Sequence, residues 1–65
     1  MDNLADALTR EIGRNKELLE AYQGIPTGMF GAAFISADLK EAEAAVANQD
    51  VVAMLRAYTK LKENE

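Results

Sequence analysis

Three glycines and a threonine, Gly24, Thr27, Gly28 and Gly31, stand close together in the stretch "GIPTGMFG", just ahead of a run of helical period. A glycine-rich loop entering a helix N-terminus gathers anions, because free amides and the helix dipole both point at the ligand. The first candidate chemistry is therefore an anion or ligand loop at Gly24, Thr27, Gly28 and Gly31. The spacing is not that of a nucleotide fingerprint. A P-loop needs GxxxxGK[ST] after a strand and a dinucleotide fold needs GxGxxG after a strand. Neither spacing occurs, no lysine directly follows, and no strand candidate precedes the loop. What remains open is an anion or small ligand held between subunits.

Acid and base pairs can be drawn too: Asp38 with Glu41 one turn later, or Glu41 with Arg56. Pairs of the Glu41–Arg56 kind are ordinarily surface or interhelical ion pairs of small energy. Tyr22 and Tyr58 read as amphipathic residues at the edge of a core. Histidine and cysteine are absent. That removes the commonest general base, thiolate chemistry and zinc-finger spacings together, so no metal and no cofactor are expected. A catalytic pocket takes several hundred cubic ångströms, which a 65-residue core can hardly enclose. The chain is expected not to be an enzyme.

Charge narrows the partners. The net charge is −4 and no basic cluster exists, so direct binding to a nucleic-acid backbone is not expected. A helix-turn-helix would put Arg56, Lys60 and Lys62 on its reading helix, but Asp50, Glu63 and Glu65 flank them. No Asn/Gln/Arg cluster is there to read base edges. No apolar run approaches the roughly 18 residues of a membrane span, and the start, "MDNLADAL", is acidic. A cytoplasmic location and no membrane association are expected.

The elements that must position these residues are helices. Twelve alanines with abundant Leu, Glu and Lys favour helix throughout. Asp2 or Asn3 caps a first helix, over about residues 3–23, whose stripe is Leu4, Leu8, Ile12, Leu19 and Tyr22, with Leu18 at its edge. Asn15 falls inside that stripe. It is either a tolerated polar residue near the surface or a polar contact that sets the register of two helices. Gly24 and Pro26 stop the helix, and Thr27 caps a second over about residues 28–47. Asn48 ends it. Asp50 caps a third, about residues 51–62, with Val51, Met54, Leu55, Tyr58 and Leu61 on one face. The expected fold is all-α: one domain, residues 1–65, of a helical hairpin plus a packed C-terminal helix, completed by oligomerisation because a short chain without staples is marginal.

The second helix carries two apolar stripes. Ile35, Leu39, Ala42 and Val46 run its whole length and read as the core face. Met29, Phe30, Ala33, Phe34 and Ala37 occupy the opposite side of its first half only; Lys40, Glu41 and Glu43 take over beyond. A helix apolar all round is buried all round, and three short helices cannot readily enclose this one. The second stripe is thus expected to be a partner or oligomer interface.

From Gly28 onward, "GMFGAAFISADLKEAEAAVANQDVVAMLRAYTKLKE" resembles small helical accessory proteins encoded by bacteriophages and prophages. The likeness rests on the Gly-Ala-aromatic start, the acidic-alanine middle and "DVVAML.AY..LK". It implies a small protein that binds and modulates a host protein, or sequesters a defence signal, in the bacterial cytoplasm. Together with the residues, this leads to the expectation of a non-enzymatic homodimer or higher homo-oligomer with a host protein partner. Two other readings stay open: a small-molecule or cyclic-nucleotide sequestering protein with its site between subunits, and an acidic regulator that mimics nucleic acid.

Overall fold

The computed structural model describes residues 3–65 and consists of three helices: α1 (Leu4–Gln23), α2 (Met29–Ala47) and α3 (Val51–Glu63). Each helix packs on both others, and no strand occurs among the described residues. The fold is all-α, as the composition requires. α1 starts where its cap places it: the Asn3 side chain accepts from the Asp6 amide at 2.9 Å. The alternative cap, Asp2, lies outside the described residues. Asp50 caps α3 likewise, accepting from the Ala53 amide at 3.2 Å.

The α2–α3 turn is closed by its backbone. The Gln49 amide donates to Val46 O and the Asp50 amide to Ala45 O, both at 3.1 Å. This double closure of a helix end needs one residue in the left-handed region, and Gln49 takes it with φ 53°. Beyond the turn, Lys60 Nζ donates to Glu41 Oε2 at 2.7 Å across α2 and α3. The hydrogen bond and charge of Glu41 raise the Lys60 ammonium above its usual value. A raised lysine supports the fold at neutral pH, and the support fades only in alkali as pH climbs through the folded value. Both side chains are well exposed, so the pair is a weak fastening.

The core is Leu8 of α1, Ile35, Leu39, Ala42 and Ala45 of α2, and Met54, Ala57 and Leu61 of α3. Leu4, Ile12, Leu18, Leu19, Tyr22 and Tyr58 pack half-buried around it. Two expectations about faces are corrected. On α2, Ala45 rather than Val46 ends the buried stripe, since the returning turn folds onto Ala45 and leaves Val46 partly open. On α3, Val51 and Leu55 are exposed and Ala57 is buried. Ala42, Ala45 and Ala57 are small side chains buried in the core that α2 and α3 share, and the face α3 turns to it is Met54, Ala57 and Leu61. Hydrophobic periodicity gives alanine little weight, so it favours the larger side chains.

Asn15 is fully buried and joins all three helices. Its Nδ2 donates to Glu11 O at 2.8 Å within α1 and to Leu61 O at 3.1 Å on α3. Its Oδ1 accepts from Asn64 Nδ2 at 3.0 Å, and the same Asn64 amide donates to Asp38 Oδ2 of α2 at 3.2 Å. Arg14 adds two bonds to the end of α3, to Leu61 O at 2.6 Å and Asn64 O at 2.8 Å. Carbonyls in the last turn of a helix have no partner in their own helix. Here α1 supplies one, with a cation at the negative end of the α3 dipole. No buried side-chain polar atom among the described residues lacks a partner. Of the two readings of Asn15, the register-setting contact is the one the fold uses.

Each bond nets about 1 kcal/mol, and a buried partner left unsatisfied costs more. Asn15→Ala is therefore expected to lower unfolding stability by about 2–4 kcal/mol in urea titrations. Its exposed neighbour sets the baseline: Lys16→Ala should change stability by less than about 0.5 kcal/mol.

Candidate functional site

The turn that delivers α2 is tight. The Ile25 amide donates to Tyr22 O at 3.1 Å and the Gly28 amide to Ile25 O at 2.9 Å, with Pro26 and Thr27 between. Gly24 ends α1 with an ordinary right-handed backbone, φ −78°. Gly28 is needed for space: a Cβ there would lie 2.4 Å from Tyr22 O. Gly31 faces the Tyr22 ring, which a Cβ would meet at 3.3 Å. The Tyr22 hydroxyl, in turn, donates to the main-chain oxygen of Glu65. Two of the candidate loop's glycines thus let the α2 entry seat against Tyr22.

The expected Thr27 cap is corrected. The N-cap of α2 is Gly28, with no side-chain bond to the first turn, and Thr27 is exposed in the preceding turn. With Gly28 held to Ile25 O, the chain enters the helix one residue after Thr27, too late for its hydroxyl to be the cap. The first turn of α2 also lacks any acidic residue. Its end is the least furnished of the three helix starts.

All five residues of the second stripe are exposed: Met29, Phe30, Ala33, Phe34 and Ala37. Phe30 is 84% exposed, Phe34 71% and Met29 65%, and Ile25 in the turn is also open. Their helix faces inward through Ala32, Ile35, Leu39, Ala42 and Ala45, which places the stripe on the outside. From Gly24 to Ala37 runs a fourteen-residue stretch without a charge. Beside Phe34 lies a shallow groove of about 310 Å³ lined by Tyr22, Gly31, Phe34, Ile35, Glu63, Asn64 and Glu65. Its C-terminal wall carries two carboxylate side chains.

A second exposed group, Val51, Val52 and Leu55, lies at the start of α3. The sequence places Val51 and Leu55 on one face with Met54, Tyr58 and Leu61, but the structure leaves both exposed and buries Ala57 instead. The groove between α2 and α3 is lined by Glu41, Ala44, Ala45, Asn48, Asp50, Ala53, Arg56 and Lys60, so Glu41 and Arg56 share it without pairing. Asp38 is engaged by Asn64 rather than by Glu41. No group of three or more metal-ligating side chains occurs among the described residues, and no helix there is long and apolar enough to cross a membrane.

Comparison with models of known families, with curated proteins and with solved structures finds no match.

The turn geometry sets an order among three substitutions. Gly28→Ala, driven against a backbone carbonyl, should destabilise by about 1–3 kcal/mol. Gly13→Ala, in the middle of α1 with nothing near its Cβ position, should stabilise by about 0.5–1 kcal/mol. Thr27→Ala should stay within about 0.5 kcal/mol of wild type, whereas removing the caps at Asn3 or Asp50 costs about 1 kcal/mol. Thermal melts followed by circular dichroism read all five.

Proposed function

We propose that this chain is a non-enzymatic binding protein of the kind bacteriophages encode, which occupies a surface of a bacterial host protein. The observation that carries the reading is the aromatic face of α2. Three helices close one core between them, and Met29, Phe30 and Phe34 are left outside it. Large apolar and aromatic side chains grouped on a surface are the usual anchors of protein interfaces. Both surface grooves are shallow, and the one between α2 and α3 is lined largely by residues already engaged in ion pairs, caps or core packing, which supports binding over catalysis.

One observation favours a second reading, the sequestering of a small anionic ligand such as a cyclic nucleotide between subunits. The start of α2 has neither a side-chain cap nor a first-turn carboxylate, and exposed Phe30 stands in that turn. Amides at such an end suit an anion, and an aromatic face suits a base. Glu63 and Glu65 beside Phe34 oppose it. Calorimetry with nucleotides and cyclic dinucleotides separates the two readings.

The test of the first reading is retention of a host protein by the purified chain, quantified afterwards with that protein isolated. Phe30→Ala and Phe34→Ala should each weaken the complex about tenfold or more, equivalent to about 2 kcal/mol for a buried anchor. Helical circular dichroism should be unchanged, and Lys16→Ala should leave affinity within about twofold. Equal affinity for wild type and both phenylalanine variants would sink the reading. Binding that collapses steeply with ionic strength would point instead to charge mimicry of nucleic acid.

A further inference from the structure

We infer that the first occupant of the α2 face is a second copy of this chain, seated antiparallel about a two-fold axis that passes between Ala33 and Phe34. The inference rests on the reading of that face as an interface and adds who covers it in the free protein and how; a host protein docking there displaces the second copy.

Charge is the first argument. At −4, two copies repel over most of their surfaces. Gly24–Ala37 is where they can meet without bringing charged side chains together. The opposite face of α2 is already taken by α1 and α3, so nothing in the described chain is left to cover this one.

Shape is the second. Phe30, Ala33, Phe34 and Ala37 follow the spacing i, i+3, i+4, i+7, the seam along which two helices interdigitate. The seam is self-complementary in size. In a two-fold interface, if one residue meets another, the second meets the first. With the axis between Ala33 and Phe34, Phe30 of each copy lies opposite Ala37 of the other, and Phe34 opposite Ala33. Each phenylalanine ring meets an alanine. Both alanines are exposed, so each is an open seat for a ring.

Area is the third. An aromatic side chain offers 150–250 Å². With Phe30, Phe34 and Met29 each about two-thirds exposed or more, and Ile25 about half, the large side chains present roughly 500 Å² per chain. Two copies bury up to about 1,000 Å² through them, at the lower edge of specific interfaces. The α3 group of Val51, Val52 and Leu55 is smaller, is flanked by Asp50 and Arg56, and stays available on the dimer.

Sedimentation equilibrium of the full chain at micromolar concentration should give twice the 7.1 kDa chain mass. Phe34→Glu should reduce this to the monomer with helical circular dichroism retained, while Leu55→Glu remains a dimer. Ala37→Phe is the discriminating variant. It adds apolar surface at an exposed position, so general stickiness would tighten association. The proposed seam, in which the new ring meets Phe30 of the other copy, weakens it about tenfold or more. Phe30→Ala combined with Ala37→Phe exchanges large for small on both sides and should restore the dimer. A 7.1 kDa wild-type species, an unchanged mass for Phe34→Glu, or tighter association of Ala37→Phe each overturns the proposal. A dimer that retains no host protein leaves this inference standing and removes the host-protein reading. A monomer that retains one does the reverse.

Discussion

Asn15 is the constraint on which the arrangement of the three helices depends. A polar side chain at the centre of an apolar stripe is tolerable only where each of its atoms has a partner, since an unpaired buried amide costs more than a made bond returns. The one arrangement that satisfies it brings Leu61 and Asn64 of the α3 terminus against the middle of α1. Asn64 then reaches Asp38, which fixes α2 in turn. Hydrophobic contacts alone would allow α3 to slide or rotate by a residue. The directional bonds of Asn15 do not.

That constraint also decides which part of α2 is left outside. With Asp38 turned toward Asn64, the side holding Ile35, Leu39 and Ala42 faces the core. Phe30 and Phe34 are then carried to the far side, since they lie roughly half a turn around the helix from that stripe. The turn before α2 reinforces the result. Gly28 and Gly31 let it seat against Tyr22, and the Tyr22 hydroxyl reaches the Glu65 carbonyl. The exposed aromatic face therefore sits on a helix tied at its start through Tyr22 and at its middle through Asp38. An interface built on such an element keeps its geometry, and large-against-small packing needs that.

Asp38, Glu41 and Lys60 are the groups with the most chemical potential, and each is engaged in an interhelical contact. The candidate ligand loop has a similar character. Gly28 answers to the Tyr22 carbonyl and Gly31 to the Tyr22 ring, while Thr27 stands clear of the helix it was expected to cap. What the surface offers in quantity is apolar area without charge.

Much of this was legible in the residues themselves. Helix content, the stops at Gly24 and Asn48, the caps at Asn3 and Asp50, and the two stripes of α2 all follow from local rules: propensity, capping chemistry and a 3.6-residue period. These depend on neighbours within a few positions, so the chain alone determines them. The tertiary structure decided the rest. Whether Asn15 was a surface accident or a keystone depended on Leu61 and Asn64, nearly fifty residues away. Whether α3 buried Leu55 or Ala57 depended on how closely α2 could approach. That is set by the smallness of Ala42, Ala45 and Ala57 together, and periodicity counts such residues least. Thr27 lost its cap because the turn closed onto Gly28, a hydrogen-bond choice made by the backbone of Tyr22 and Ile25. The exposure of Phe30 and Phe34 belongs to both levels. The sequence required that one α2 stripe be left over, and the packing of three helices around Asn15 chose where it points.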